Sequence, residues 1–379
     1  MVGSLDRFLQ VLVFAQALVA AACSGARIAL PPRDGAARLL VVGDVVLATS
    51  RGSGRDDIGG LSGAYYDPST RRLYAVSDDR DRPRLVLLDV ALRPRLTLIR
   101  RSVTPLELPH PTRRTLDAEG IAPGPRGRIF IASEGNAADP GEPAPGIYEY
   151  TRSGRFVRAL PVPRWYLGGG RSGMRDNGAF EGLSASPNGR RLFAAVESSL
   201  RQDGEPATLE HGAVTRLLVY DIPIRGSAPR EFAYEIERVQ RPPSFLNPAG
   251  ENGVAEILAL SETDLLVLER AFVRERGVGA ARTANTIRLF QVRLDSRSEI
   301  TGRGSLADGP PAVPLAKRLI LDAAAVAPEL SEPLRALENF EAMTFGPRLP
   351  DGRSSLLLIS DDNFSDRQVT AGVLLAFGR

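Results

Sequence analysis

One block of residues recurs five times along the chain, and nothing else in the sequence constrains the fold as strongly. Each copy opens on a small or apolar segment, turns at Pro, Gly, Asn or Asp, and runs through aliphatics into a carboxylate. The copies read Gly60-LSGAYYDPSTRRLYAVS-Asp78, Glu119-GIAPGPRGRIFIAS-Glu134, Glu181-GLSASPNGRRLFAAV-Glu197, Ala255-EILALSETDLLVL-Glu269 and Glu341-AMTFGPRLPDGRSSLLLIS-Asp361. Further short apolar runs follow each copy, starting at Arg84, Gly146, Thr215, Thr286 and Gly372. Runs of this kind, bounded by turn formers, are strand signals. Four antiparallel strands per repeat make one blade, so the expected fold is all-β, a single β-propeller of five four-stranded blades. A degenerate sixth blade between Arg288 and Leu337 is the alternative. The last repeat lacks a strand, and the run from Ala37 supplies one that closes the ring and removes the exposed edges. Residues 322–339 alone read as a short helix.

In a blade the first strand runs along the channel and the second returns antiparallel to it. The start of the first and the end of the second therefore share one mouth. Carboxylates stand at both places: Glu119, Glu181, Glu341 and, one residue out of register, Glu256; then Asp78, Glu134, Glu197, Glu269 and Asp361. A one-residue shift turns a strand side chain to the other face, which makes Glu256 the doubtful member. So many like charges must be offset, and hard cations with oxygen ligands do this. A Ca²⁺ cofactor is the expectation, with Asp78, Glu119, Glu134, Glu197, Glu269, Glu341 and Asp361 as ligands. Asp79, Asn136, Asp362 and Asn363 are neighbouring oxygen donors. Ion pairing to arginine, as of Glu269 with Arg270, is the competing use for any one acid.

Other chemistries are excluded or weak. The chain has one cysteine and two histidines, too few for a cysteine zinc cluster or a histidine-rich metal site. It has no GxSxG elbow, HExxH, phosphate loop or dinucleotide glycine fingerprint. His110 leads into the second repeat and is a minor candidate. The net charge is only +3 despite a pI near 9.2, and the basic residues never form a run, which disfavours nucleic acid. Lys317 is the sole lysine among arginines, and Arg270 follows Glu269 directly, so both are candidate contacts for an anionic substrate. The glycine-rich stretch 168–178 reads either as a lip over the mouth or as a plain loop.

The N-terminus carries an address. Arg7 precedes an apolar run from Phe8 to Ala22 that ends in three alanines before Cys23. The run is too short to span a bilayer and reads as a secretory signal, residues 1–22. The only cysteine at that junction resembles a bacterial lipobox, with Cys23 as the lipidated residue and 23–37 as an anchor segment. An exported, periplasmic or surface location follows, with the membrane touched only through that anchor.

The elements LDAEGIAP from Leu116, AFEGLSASPNG from Ala179, LLVLER ending at Arg270, ENFEAMTFG from Glu338 and LLLISDDNF ending at Phe364 together resemble the bacterial phytase-like family, described as esterase-like activity of phytase. The resemblance implies a propeller over 38–379 and a phosphoesterase or phosphodiesterase activity at the repeated acids. Two blades depart from its Glu-Gly pattern, with Gly59-Gly60 in the first and Glu341-Ala342 in the fifth. The expected function is an exported Ca²⁺-dependent phosphoesterase acting on a small anionic ester. In it Glu181 orients water, and Arg270 or Lys317 stabilises developing charge. A Ca²⁺ lactonase or carboxylesterase, and a non-catalytic ligand-binding propeller, are the alternatives. A monomer is expected.

Overall fold

The computed structural model describes residues 39–47, 58–109, 115–135, 143–277 and 282–378. The N-terminal signal with Cys23, and also His110 and Asn136, lie outside them. The first strand, β1 (Leu39–Val46), precedes the first blade, which is β2 (Leu61–Asp67), β3 (Arg72–Ser77), β4 (Arg84–Ala91) and β5 (Thr97–Pro105). The second is β6 (Ala118–Pro123), β7 (Arg128–Ser133), β8 (Gly146–Thr151) and β9 (Phe156–Ala159). The third is β10 (Phe180–Ala185), β11 (Arg191–Val196), β12 (Ala213–Asp221) and β13 (Arg230–Ile236). The fourth is β14 (Pro248–Ala259), β15 (Asp264–Glu275), β16 (Thr283–Arg293) and β17 (Lys317–Asp322). The fifth has β18 (Asn339–Phe345), β19 (Ser355–Asp361) and β20 (Ala371–Phe377).

β1 completes that fifth blade, pairing antiparallel with β20 from Leu39↔Phe377 to Val46↔Ala371. The ring thus closes by hydrogen bonds between the two ends of the described chain. The first strands touch in a circle, β2 to β6 to β10 to β14 to β18 and back to β2, so these five line the axis. Apolar side chains fill the spaces between blades. One cluster joins Leu61, Leu73 and Val86 of the first blade to Leu357, Ile359 and Leu374 of the fifth. Each such fully buried side chain contributes about 1.5–3 kcal/mol, so the closing seam is held by apolar packing as well as by the β1–β20 hydrogen bonds.

Two expectations are corrected. There is no sixth sheet among the described residues. Residues 322–339 form no α-helix but three separate 3₁₀ turns, Ala323–Ala325, Ala327–Glu329 and Leu334–Ala336. Pro328 and Pro333 explain the interruption, since each lacks the N–H that a continuous helix needs.

Candidate functional site

Every axial strand carries a β-bulge, near its start in four blades and midway along the longer β14 of the fourth. Leu61 pairs with Ser77 but Gly63 with Val76; Ala118 pairs with Ser133 but Gly120 with Ala132. The same shift falls between Phe180 and Leu183, Val254 and Glu256, and Phe340 and Ala342. A bulge re-aims the side chain it inserts. In blade order the inserted position holds Ser62, Glu119, Glu181, Ala255 and Glu341. The residue after it lies against the neighbouring axial strand. A Cβ on Gly63 would sit 2.1 Å from the Glu119 carbonyl oxygen, and one on Gly120 2.2 Å from that of Glu181. The Glu-Gly pair is therefore one device: the acid faces the mouth, and the glycine lets the next blade approach.

The second strands deliver the other half of the ring. Backbone hydrogen bonds set Asp78 against Gly60, Glu134 against Asp117 and Glu197 against Ala179. In the fifth blade Asp361 pairs with Asn339. In the fourth, Gly253 pairs with Arg270, so an arginine occupies the place of the acids. The blades are consequently unequal. The second gives three acids (Asp117, Glu119, Glu134), the third and fifth two each, the first one, and the fourth a cation.

The acids converge most tightly at blades two and three. One carboxylate oxygen each from Asp117, Glu119 and Glu134 lie within 4.8 Å of one another, and so do those of Glu134, Glu181 and Glu197. Glu134 belongs to both groups, and its Oε1 accepts from the Ala179 N–H at 2.6 Å. Burial, reinforced by neighbouring acids, pushes these carboxyls upward: Asp78 and Glu197 to about 7 and Glu134 to about 8. Glu119, Glu181 and Asp361 are raised for the same two reasons. For Glu181 the acids responsible are Glu119, Glu134, Glu197 and Glu341.

Two arginines answer this charge. Arg270 Nη2 lies 2.8 Å from Glu341 Oε1 and 3.5 Å from Glu197 Oε1, while its buried Nε–H has no acceptor. Arg80, half exposed, places Nη2 2.6 Å from Asp117 Oδ2. Neither Arg80 nor Asp117 was singled out from the sequence. Gly60, Ala179, Gly253 and Asn339 stand where Asp117 does in the other blades, so recurrence gave no sign of it.

Glu269 and Lys317 are elsewhere. The register turns Glu269 away from the acid groups, to where it accepts from Tyr234 Oη (2.7 Å), Asn252 Nδ2 (2.8 Å) and the Glu237 N–H (3.0 Å). Lys317, at the start of the outermost strand β17, lies 2.8 Å from Glu269 and 3.0 Å from Glu237, and donates to the Glu235 carbonyl at 2.6 Å. Its ammonium also sits over Phe290 at 4.3 Å. With three acceptors for three N–H bonds, Lys317 neutralises a seam between blades three and four; it does not face the mouth.

The doubtful Glu256 is buried on the axis, and its Oε1 accepts from the Leu183 and Ile257 N–H groups. It ties β14 to β10 rather than joining the acids. Asp79 pairs with Arg82 and Arg84. Asp362 caps Gly60 and Phe364 through their N–H groups, and Asn363 donates its N–H to Asp361. The glycine-rich stretch is held down: Met174 is buried, the Gly173 N–H donates to Gln202 Oε1, and Arg175 donates to the Ser199 and Gly204 carbonyls.

The donor set fits a hard cation. It is all oxygen, the two groups are compact, and Asp78 Oδ1, Ser62 Oγ and Ser133 Oγ are buried without a hydrogen-bond partner. Ser62 holds the bulge position that carries Glu in blades two, three and five. No helix among the described residues is long and apolar enough to cross a membrane.

The Phytase-like family profile, described as esterase-like activity of phytase, matches residues 56–364. An uncharacterized secreted protein of Arthroderma benhamiae is 27% identical over 191 residues, 42% of this chain and 35% of the relative's length. Among solved structures, an endo-arabinase from Bacteroides thetaiotaomicron is 10% identical, covering 85% of this chain and 95% of its own at a TM-score of 0.42. An aldose sugar dehydrogenase from Streptomyces coelicolor is 13% identical, covering 92% and 100% at a TM-score of 0.38.

Proposed function

The chain belongs to the Phytase-like family, and from that premise we propose that it is an exported Ca²⁺-dependent phosphoesterase whose reaction takes place over the acids of blades two and three. The observation that supports this most is the pair of three-acid groups sharing Glu134, faced by Arg270 in a register position that other blades give to an acid. Asp117, Glu119, Glu134, Glu197 and Asp78 are the residues that would hold Ca²⁺, with Glu341 and Asp361 completing the ring. Bound there, Ca²⁺ supplies Lewis-acid polarisation of an ester oxygen.

The chain's own groups do the rest. Glu341 and Glu197 hold the Arg270 guanidinium in place, so little reorganisation is needed when charge develops beside it. Its free Nε–H is a donor for a phosphoryl oxygen. Arg80, anchored on Asp117 but half open to solvent, meets the substrate's charge on entry. Glu181 lies among four acids, and burial together with their charge raises its pKa, which strengthens it as the acceptor of a proton from an attacking water. Lys317 has no part in the reaction.

The relative described as secreted and the N-terminal signal together support export. Lipidation at Cys23 is part of the same proposal, as are a monomeric state and no nucleic-acid partner. The test is hydrolysis of bis(4-nitrophenyl) phosphate with Ca²⁺ and then with chelator, beside Glu181→Ala. Ca²⁺-dependent turnover that the substitution abolishes is the expected result. Turnover of 4-nitrophenyl acetate or a lactone instead would assign a carboxylic ester. A chelator-sensitive melting temperature without any turnover would leave a ligand-binding propeller.

A further inference from the structure

The fourth blade differs from the others in length as well as in charge. β14 and β15 are each 12 residues long, against six or seven in the axial strands of the other blades. Glu251 and Phe272 pair directly beyond Gly253 and Arg270, in unbroken register up to Pro248↔Glu275. The extra length is therefore a continuation of the sheet past the mouth.

Side chains alternate along a strand, so Phe272 and Arg274 share the face of Arg270, and Arg276 follows in step. The opposite face is packed, with Ala271 and Val273 against Val239 and Phe245. The Arg270 face opens beyond Arg270 itself, where Phe272, Arg274 and Arg276 form one wall of a cavity of about 450 Å³ that also includes Glu251 and Glu210. Arg274 and Arg276 are exposed, and neither has an ion-pair partner among the described residues. Glu210 accepts from its neighbour Thr208 at 2.9 Å. Glu251 lies close enough to the mouth that its charge acts on both Arg270 and Glu197.

At about 3.3 Å per residue, Arg274 stands roughly 13 Å along the strand from Arg270. We infer that this wall is a second substrate subsite, taking the alcohol half of an ester in which a flat ring separates the scissile group from a second anion. Phe272 offers a face for the ring, Arg274 and Arg276 bind the distal anion as charged donors, and Glu251 accepts from hydroxyl or amine groups on the ring. The inference rests on the proposed ester chemistry for its orientation, with the scissile group at Arg270.

The experiment uses two ligands that cannot be hydrolysed, biphenyl-4-ylphosphonate and biphenyl-4,4′-diylbisphosphonate, titrated calorimetrically into the protein in Ca²⁺. The bisphosphonate should bind at least tenfold more tightly. Arg274→Ala with Arg276→Ala should erase that advantage and leave the monophosphonate unchanged; both residues are exposed, and an unaltered melting temperature verifies the fold. Equal affinities in the unsubstituted protein, or an advantage that survives in the variant, would overturn the subsite. Phosphate release from 4-nitrophenyl phosphate is measured separately. Its absence beside a retained bisphosphonate preference would remove the hydrolytic reading while leaving the groove as an anion site.

Discussion

Glu134 and Glu269 look alike in the sequence, each closing an aliphatic run at the end of a blade's second strand, yet they do different work. Glu134 stands one place beyond the pairing of Ala118 with Ser133 and faces the mouth, where it belongs to both acid groups. Glu269 stands at the pairing with Val254, one place short, and faces the seam held by Lys317. A shift of one residue, with no change of residue type, moves a carboxylate from the candidate site to the scaffold. The same shift brings Arg270 into the ring and gives it one cationic side.

The largest expected effect comes from weakening the acidic side. Glu134→Gln keeps an acceptor for the Ala179 N–H but removes the charge common to both groups. Ca²⁺-dependent turnover should fall by at least the roughly 10–100-fold seen when a group supporting a metal is lost; a steady-state assay at the Ca²⁺ concentration that saturates the unsubstituted protein checks this. On the cationic side, Arg270→Ala leaves Glu197 and Glu341 without their partner. Without metal it should cost about 3–5 kcal/mol in denaturant unfolding, as removing one member of a buried pair does. Arg270→Glu, which makes the fourth blade resemble the others, should be less stable still in chelator and should recover more on adding Ca²⁺.

A smaller effect belongs to the seam. Glu269→Gln should cost about 2 kcal/mol through the weakened hydrogen bonds to Lys317 and Tyr234, with kcat/KM unchanged. A loss of turnover there would break the distinction drawn between the two glutamates.

The smallest effect is the slope with pH. Asp78, Glu134 and Glu197 are raised to about 7–8 in the folded protein, against roughly 4 in an unfolded chain. The folded state then binds more protons between these values. Stability of the metal-free protein from these groups is complete below about pH 4 and declines as pH rises towards 8. Ca²⁺ competes with those protons, so the rise in melting temperature on adding it should grow over the same range. A shift in melting temperature that is flat with pH would contradict the assignment of these acids.

The blade count and the closing strand were legible because the repeat carries its own punctuation: Glu-Gly, a turn, then aliphatics. In the fourth blade Glu256 was rightly doubted, but Glu269 was misplaced at the mouth because it ends the aliphatic run as the acids of the other blades do, although Arg270 holds their register position. The spacing contains the correction, since Ala255 to Arg270 spans as many residues as Glu119 to Glu134. Asp117 and Arg80 were hidden for a different reason. They occur in one blade and one loop only, so repetition could not reveal them; their pairing depends on how the first and second blades meet.

The central claim is that metal binding resides with Glu134 and its neighbours and not with Glu269. Calorimetric titration of Ca²⁺ into the unsubstituted protein, Glu134→Gln and Glu269→Gln tests it most directly. The account predicts binding that Glu134→Gln abolishes and Glu269→Gln leaves within about twofold. Equal losses in both variants, or no Ca²⁺ binding by the unsubstituted protein, would contradict it.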